Sequence, residues 1–194
     1  QIAGPIGDDA EGGLDSDSDS DGEGERFVEV RVRTALLGVK AGAIEALGYL
    51  AEHTGAHFHP MVEPVVQMLE KNHQYFHENV RRYVVTALPQ MVAVTFAAHP
   101  VAWTKGAAPQ ALEPLCQRVT TLAVGALIEH MHADSDREVV ARCCEGLQNI
   151  VELVGPASVA PVLDTACQHT LVLLQEKALC QAIEDDSDDE EEAG

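Results

Sequence analysis

From Thr34 onward, apolar residues recur every three or four positions, the spacing that gathers them on one face of an α-helix. Alternation of apolar and polar residues, which would indicate a half-buried strand, is confined to residues 28–33, interpreted as a short extended lead-in or a first helical turn. The pattern therefore predicts an all-α chain. The predicted helices cover residues 34–54, 58–72, 78–98, 110–132, 135–154 and 158–183, with boundaries that are approximate.

Glycine and proline predict where several of these helices begin, bend or end. Gly55 follows the first helix, in the position where a left-handed residue commonly ends a helix, and the fifth helix stops at Gly155-Pro156. Ser158 is predicted to be the N-cap of the sixth helix. Pro89 lies in the middle of the third helix and is expected to kink it.

The helices repeat. Residues 45–55 align with residues 145–155, and an acidic residue followed four positions later by Gln recurs in the second, fourth and sixth helices at intervals of 50 and 51 residues. Helix pairs that repeat at such intervals are typical of a HEAT-repeat α-solenoid, in which each pair shares its core with its neighbours. We expect about three helix pairs, with the first helix of each pair on the convex side and the second on the concave side.

Charge divides the chain into three segments. The chain has 32 acidic and 12 basic residues, for a net charge of −20. Residues 8–25 and 184–192 are densely acidic and contain no Lys or Arg, a composition that cannot bury enough apolar surface to fold alone. The sequence thus predicts a disordered acidic segment at 1–25, the solenoid at 26–183 and a second disordered acidic segment at 184–194.

Several functional classes are not expected. A strongly acidic chain without a basic stripe is unsuited to nucleic acid, and its longest apolar runs are shorter than the ~20 residues of a membrane span. The sequence contains no Gly-rich phosphate loop, nucleophile elbow or paired catalytic carboxylates, so we expect neither an enzyme nor a cofactor. The five cysteines lack a C-x-x-C spacing and are expected to be structural thiols of an intracellular protein.

Two possible metal sites are also considered and not expected. His73 and His77 are four residues apart, but the histidines fall in connections and helix ends, where they are more often surface residues. Asp17, Asp19 and Asp21 match the first half of an EF-hand loop, but Val28 stands where the loop needs its bidentate Glu.

Residues 30–95 resemble the importin-β (karyopherin-β) family of nuclear transport receptors. The resemblance is carried by Arg33-Thr-Ala, Lys40, Leu47-Gly, His53-Thr-Gly55, Phe58, Pro60 and the Glu-Asn-Val-Arg-Arg motif at 78–82. It implies a HEAT superhelix, of which this chain would be a part, acting in the cytoplasm and nucleus. It also implies basic protein cargo, meaning localisation signals, core histones or ribosomal proteins, together with nucleoporin Phe-Gly repeats and cargo release by Ran-GTP. No residue here matches a Ran site.

If cargo binds the second helix of each pair, the polar stripe of these helices is the candidate site. Acidic side chains would pair with Lys or Arg, and amides would hold an extended backbone. The candidate residues are Glu63, Gln67, Glu70, Glu113, Gln117, Asp164, Gln168 and Gln175. Any solenoid needs a polar stripe that faces water, so the pattern alone leaves this stripe open as a solvated surface.

The acidic segments offer a second candidate. They would attract a basic partner over a distance, with a strong dependence on salt, or serve only for solubility. Ser16, Ser18, Ser20 and Ser187 each precede an acidic residue by three positions, the context that acidophilic kinases prefer. Two alternatives to the import receptor stay open: a structural HEAT scaffold of a multiprotein complex, and an acidic histone-chaperone-like module.

Overall fold

The structure, a computed structural model, describes the backbone of residues 21–106 and 110–182, with side chains from residue 34 onward. The chain divides into two compact units, Gln1–Leu36 and Leu37–Gly194. All regular secondary structure in the described residues is helical, which confirms the all-α prediction. Six α-helices are present in them: α1 (Asp21–Thr54), α2 (Val62–Asn72), α3 (Glu78–Ala98), α4 (Pro114–Ala133), α5 (Arg137–Val154) and α6 (Leu163–Leu174).

Helix boundaries follow the predictions most closely for α3. The other helices depart from the predicted boundaries at one or both ends. The α1 helix begins at Asp21, so residues 28–33 are helical, and the helix starts inside the segment predicted to be disordered. Where the second helix was expected to begin, the chain instead forms a 3₁₀-helix, Gly55–Met61. Short 3₁₀-helices also occur at Pro156–Ser158, Ala160–Val162 and Leu179–Gln181.

Glycine ends two of the helices as predicted, but the predicted cap of the last helix is wrong. Gly55 has φ 54° after α1, and Gly155 has φ 94° after α5. Ser158 does not cap α6, because its hydroxyl donates back to the Gly155 carbonyl at 2.7 Å. The α6 helix therefore starts only at Leu163, after the two 3₁₀-helices.

Within the second unit, α3, α5 and the part of α1 that follows Leu36 lie side by side; we call them the odd layer. Gln90 of α3 donates to the Glu52 carboxylate of α1 at 2.9 Å. On the other side of α3, Arg82 Nη2 lies 3.0 Å from Glu138 Oε2 of α5. Both contacts join a helix to the next odd-numbered helix along the chain.

Helices α2, α4 and α6 make up the even layer. Arg118 of α4 forms an ion pair with Glu63 of α2. His169 of α6 donates from Nδ1 to the Ile128 carbonyl of α4 at 3.3 Å, and its ring stacks on His132 of α4. Successive helices thus alternate between the two layers.

The hydrophobic core lies between the layers. Apolar side chains from α2, α3, α4 and α5 fill it almost without solvent contact: Val62, Val66, Leu69, Val80, Val84, Leu88, Met91, Val119, Leu127, Val139 and Ile150. Pro89 packs into the α3–α5 contact, where a Cβ on Gly146 would come within 2.8 Å of the proline ring. Glycine at 146 therefore allows α5 to approach α3 closely.

A buried ion pair connects Arg81, at the start of α3, to Asp134, in the connection between α4 and α5. The Asp134 carboxylate accepts two hydrogen bonds from Arg81, at 2.7 and 2.9 Å, one from His130 Nδ1 at 2.9 Å and one from the Asp136 amide at 2.9 Å. Burial alone would raise the pKa of Asp134, but hydrogen bonds from His130, Arg81 and the Asp136 amide lower this pKa well below its usual value. We call these groups the Arg81–Asp134 clamp.

By length and composition alone, one stretch of the described chain, Thr34–Asn72, would suffice to cross a membrane, with a hydropathy of 1.2 in its most apolar window. Only 22% of that window is buried. This is weak evidence, because core helices of soluble proteins and signal sequences meet the same test. The 3₁₀-helix Gly55–Met61 interrupts the stretch, so its α-helical part ends at Thr54.

Candidate functional site

The residues proposed from the sequence as cargo contacts all belong to the even layer or its helix ends. On α2, Glu63, Gln67 and Glu70 are exposed. Glu63 is already engaged, because one oxygen accepts from Gln67 at 3.1 Å and the other pairs with Arg118 of α4. The structure thus brings part of the predicted stripe together, but through a basic residue that neutralises Glu63.

On α4, the predicted residues have local roles. Glu113 is the N-cap of the helix, and its carboxylate accepts from the Cys116 amide at 3.0 Å. Hydrogen bonds from the amides of Cys116 and Leu115 lower the pKa of Glu113. Gln117 is exposed and donates to the Thr121 hydroxyl at 3.3 Å. Glu113 is therefore a helix cap before it is a candidate for binding cargo.

On α6, Asp164 lies in the first turn and Gln168 one turn later, and both are exposed. Gln175 is the C-cap of the same helix. The remaining candidates, Ser16, Ser18, Ser20 and Ser187, lie outside the described residues, as do residues 1–20 and 183–194 of the acidic segments. The predictions for these positions stay predictions.

A second polar surface, which sequence reasoning did not assign, runs across the odd layer. Each odd helix contributes side chains at spacings of three or four, so that they line up on one face. We define the odd-layer groove by Glu45, Tyr49 and Glu52 of α1, Arg82, Thr86 and Gln90 of α3, and Glu138, Arg142, Glu145 and Asn149 of α5. It consists of two adjoining clefts that share Thr86, Gln90 and Arg142.

The groove contains more carboxylates than cations, and its two arginines form ion pairs with two of these carboxylates. Glu138 joins the two guanidiniums, since one oxygen lies 3.0 Å from Arg82 and the other 4.0 Å from Arg142. Arg142 also pairs with Glu145 at 2.9 Å. All four side chains in this chain of ion pairs retain contact with solvent, so they can exchange partners at little cost.

The α1 side of the groove carries negative charge and an aromatic ring. Within the described part of the chain, Glu52 accepts from the neutral Gln90 amide, so this contact does not compensate its charge. Tyr49 is 62% exposed and stacks on His53 with ring centroids 3.8 Å apart. An exposed, positioned ring next to Glu45 and Glu52 suits the side chain of Lys or Arg, which binds both carboxylates and aromatic faces.

A signal for this groove was present in the sequence repeat. The segment that aligns 45–55 with 145–155 contains an acidic residue at the same position in both copies, Glu45 and Glu145. Both side chains line the odd-layer groove. The match between residues 45–55 and 145–155 indicates the fold, whereas the acid-to-Gln pattern of the even layer also indicates a site there.

An apolar cavity of about 230 Å³ lies where the α3–α4 connection meets the end of α5. Trp103 packs on Gly155, where a Cβ would come within 2.8 Å of the indole, and its Nε1 donates to the Leu153 carbonyl at 3.2 Å. Leu112 and Pro156 also line the cavity. Gln117, one of the predicted cargo contacts, reaches the same cavity and adds a polar group to its wall.

The positions of the cysteines and histidines decide which thiols are accessible and whether side chains converge on a metal site. The prediction of five structural thiols is wrong for two of them, because Cys144 and Cys167 are exposed, while Cys116, Cys143 and Cys180 are buried. Within residues 34–106 and 110–182, no group of three or more His, Cys, Asp or Glu side chains is placed to hold a metal ion.

The comparisons with known proteins give no relative to argue from. No protein-family model matches the sequence, and neither a curated protein nor a solved structure matches the chain.

Proposed function

We propose that this chain is part of a HEAT-repeat nuclear import receptor of the importin-β type, and that it binds basic protein cargo in the odd-layer groove. Within that family the residues that carry the resemblance are most like importin-4. The cargo classes proposed are localisation signals, core histones and ribosomal proteins, with Ran-GTP and nucleoporin repeats as partners of the longer protein in the cytoplasm and nucleus.

The observation that carries the proposal is the row of three neighbouring helices with two adjoining clefts and four carboxylates on one face. Alternation of successive helices between two layers supports a stack of repeated helix pairs, since each pair then covers its apolar face against the next. In such a stack, equivalent positions of neighbouring repeats form rows. Glu45 of α1 lines one cleft and Glu145 of α5 lines the other, while Thr86 and Gln90 of α3 line both.

The spacing of these helices sets the ligand that fits. Packed helices lie about 8–10 Å apart, and an extended chain advances about 3.3 Å per residue. An extended peptide that crosses the groove at right angles to the helices therefore meets a new helix at every third residue. We expect a segment with Lys or Arg at every third position to bind better than one of the same composition in another order.

Fluorescence anisotropy with these two labelled peptides tests the proposal. The first variant combines Glu45→Gln, Glu52→Gln and Glu145→Gln; the matched control combines Glu63→Gln, Glu70→Gln and Asp164→Asn in the even layer. At about 0.5 kcal/mol for each exposed ion pair, loss of three pairs weakens binding about tenfold. A loss of this size in the first variant alone supports the odd-layer groove.

The other outcomes favour the alternatives. A loss confined to the control variant returns the site to the even-layer stripe predicted from the sequence. Binding that disappears in a chain shortened to residues 21–182, and at moderate salt in the full chain, favours the acidic chaperone-like module. If no form of the chain binds either peptide, the proposal fails and the structural scaffold becomes the better description.

A further inference from the structure

The start of α3 is capped by an imidazole rather than by a carboxylate. His77 is the N-cap, and its Nδ1 accepts a hydrogen bond from the Asn79 amide at 3.2 Å. In α4 and α5 the same position is held by carboxylates, Glu113 and Asp136. A carboxylate accepts at any pH above about 4, whereas an imidazole nitrogen accepts only while it carries no proton.

Protonation of His77 has two effects on α3, both unfavourable. Nδ1 becomes a donor, so the Asn79 amide loses its acceptor. The added positive charge lies at a helix N-terminus, where the partial charge of the unpaired amides is also positive. Since the His77 side chain is 26% exposed, a proton from solvent reaches it without unfolding.

A second imidazole contact lies at the other end of the same turn, residues 73–77. The His73 and His130 rings meet edge to face with centroids 5.8 Å apart. His73 Nδ1 and His130 Nε2 are buried and have no hydrogen-bond partner among the described residues. Because His130 Nδ1 donates to Asp134, its Nε2 is the nitrogen that would take up a proton, which would then be buried without an acceptor.

Charged groups from every neighbouring element lie around this turn, three of them basic and four acidic. They are Lys40 of α1, Lys71 of α2, Glu78 and Arg81 of α3, Glu129 of α4, and Asp134 and Asp136 of the α4–α5 connection.

Of the charged side chains that the structure describes, Glu78 forms an ion-pair contact with His77, with Oε2 3.5 Å from Nδ1, and its exposure to solvent screens this attraction. Asp134 is already bound by Arg81, and Lys40 lies 3.8 Å above the Tyr75 ring.

We propose that the α2–α3 turn is a pH-sensitive joint, which opens when His77 is protonated and loses its cap and when a proton enters the His73–His130 contact. The opening is local, because the Arg81–Asp134 ion pair keeps both of its charges: its hydrogen bonds raise the pKa of Arg81 and lower the pKa of Asp134. Arg81 holds the Tyr75 and Phe76 carbonyls at 3.0 Å each, so the turn stays anchored while the first amides of α3 lose protection. This inference goes beyond the proposed cargo binding and does not depend on it.

Native-state hydrogen exchange of the full chain, followed by NMR, tests the joint. The protection factor of an amide is its intrinsic exchange rate divided by its observed exchange rate at the same pH. For the Asn79 amide, this factor should fall about fivefold or more between pH 7.5 and 5.0, the effect expected from loss of one cap. The Val139 amide of α5 is the internal control, because its cap, Asp136, is a carboxylate rather than an imidazole.

Two substitutions make the result decisive. His77→Asp replaces the imidazole cap with a carboxylate and should remove most of the fall in protection, and adding His73→Gln should remove the rest. The proposal is overturned if the wild-type Asn79 amide keeps its protection at pH 5.0, or if the double variant loses as much protection as the wild type. It is equally overturned if Val139 loses protection in parallel, since the effect would then be general acid destabilisation.

Discussion

Replacing Asp134 with Ala is expected to destabilise the protein by about 3–5 kcal/mol, the typical cost of removing one partner of a buried ion pair. The side chains of Arg81 and Asp134 are only 14% and 2% exposed. Removing the carboxylate leaves the guanidinium, His130 Nδ1 and the Asp136 amide without the acceptor they share. Urea denaturation followed by circular dichroism at pH 7 measures the loss.

The matched control separates an unpaired charge from a lost contact. Arg81→Met combined with Asp134→Leu removes both charges and keeps comparable volume, so it should be less destabilising than Asp134→Ala alone. If Asp134→Ala lies within about 1 kcal/mol of the wild type, the clamp does not stabilise the fold and the reasoning is wrong. If the double variant is the less stable of the two, the pair itself, rather than the orphaned charge, carries the energy.

The same pair predicts a dependence on pH with a definite sign. Because its hydrogen bonds lower the pKa of Asp134 in the folded protein, the unfolded chain binds a proton more readily at this position. The stabilisation is complete above the unfolded pKa of about 3.9 and is lost as the pH falls through the lower folded pKa. The difference in stability between the wild type and Asp134→Asn should be constant from pH 5 to 7 and shrink in stronger acid.

Three further substitutions or reactions test the close packing. Gly146→Ala places a Cβ 2.8 Å from the Pro89 ring and should destabilise by about 1–3 kcal/mol in thermal unfolding, whereas Gly125→Ala, with open space around it, should not. Gly155→Ala should destabilise by about 1–3 kcal/mol, because φ 94° is strained for a residue with a Cβ. Of the adjacent thiols at 143 and 144, iodoacetamide should label only the exposed Cys144 in the folded protein, as mass spectrometry of the labelled peptides would show.

The sequence predicted the helices well because their signals are local. The spacing of apolar residues gave the limits of α3, and Gly55 and Gly155 ended their helices as predicted. The 3₁₀-helices before α2 and α6 were missed, since they share the apolar content of the helices they precede. Ser158 was misjudged because a hydroxyl at a helix start can also bond back to the preceding carbonyl, and the residue type does not distinguish the two.

The candidate site was harder to predict, because its character depends on partners far apart in the chain. The sequence does not show that Glu63 has a basic partner, because Arg118 lies 55 residues later in the chain and meets Glu63 only in the fold. The clamp joins Arg81 to a carboxylate 53 residues away. Repetition in the sequence shows which positions are equivalent, but only packing decides which of them meet and which charges remain for a ligand.

Trp103 is the single tryptophan of the chain, and it packs on Gly155, the residue that follows α5. Its emission is therefore a reporter of one junction, between the α3–α4 connection and the end of α5, rather than of the whole fold. Circular dichroism instead averages over all the helices. If the chain does not unfold in a single two-state transition, these two probes need not change together. Coincident curves would mark a chain that unfolds as one unit, and separated curves would locate its weaker end without any added label.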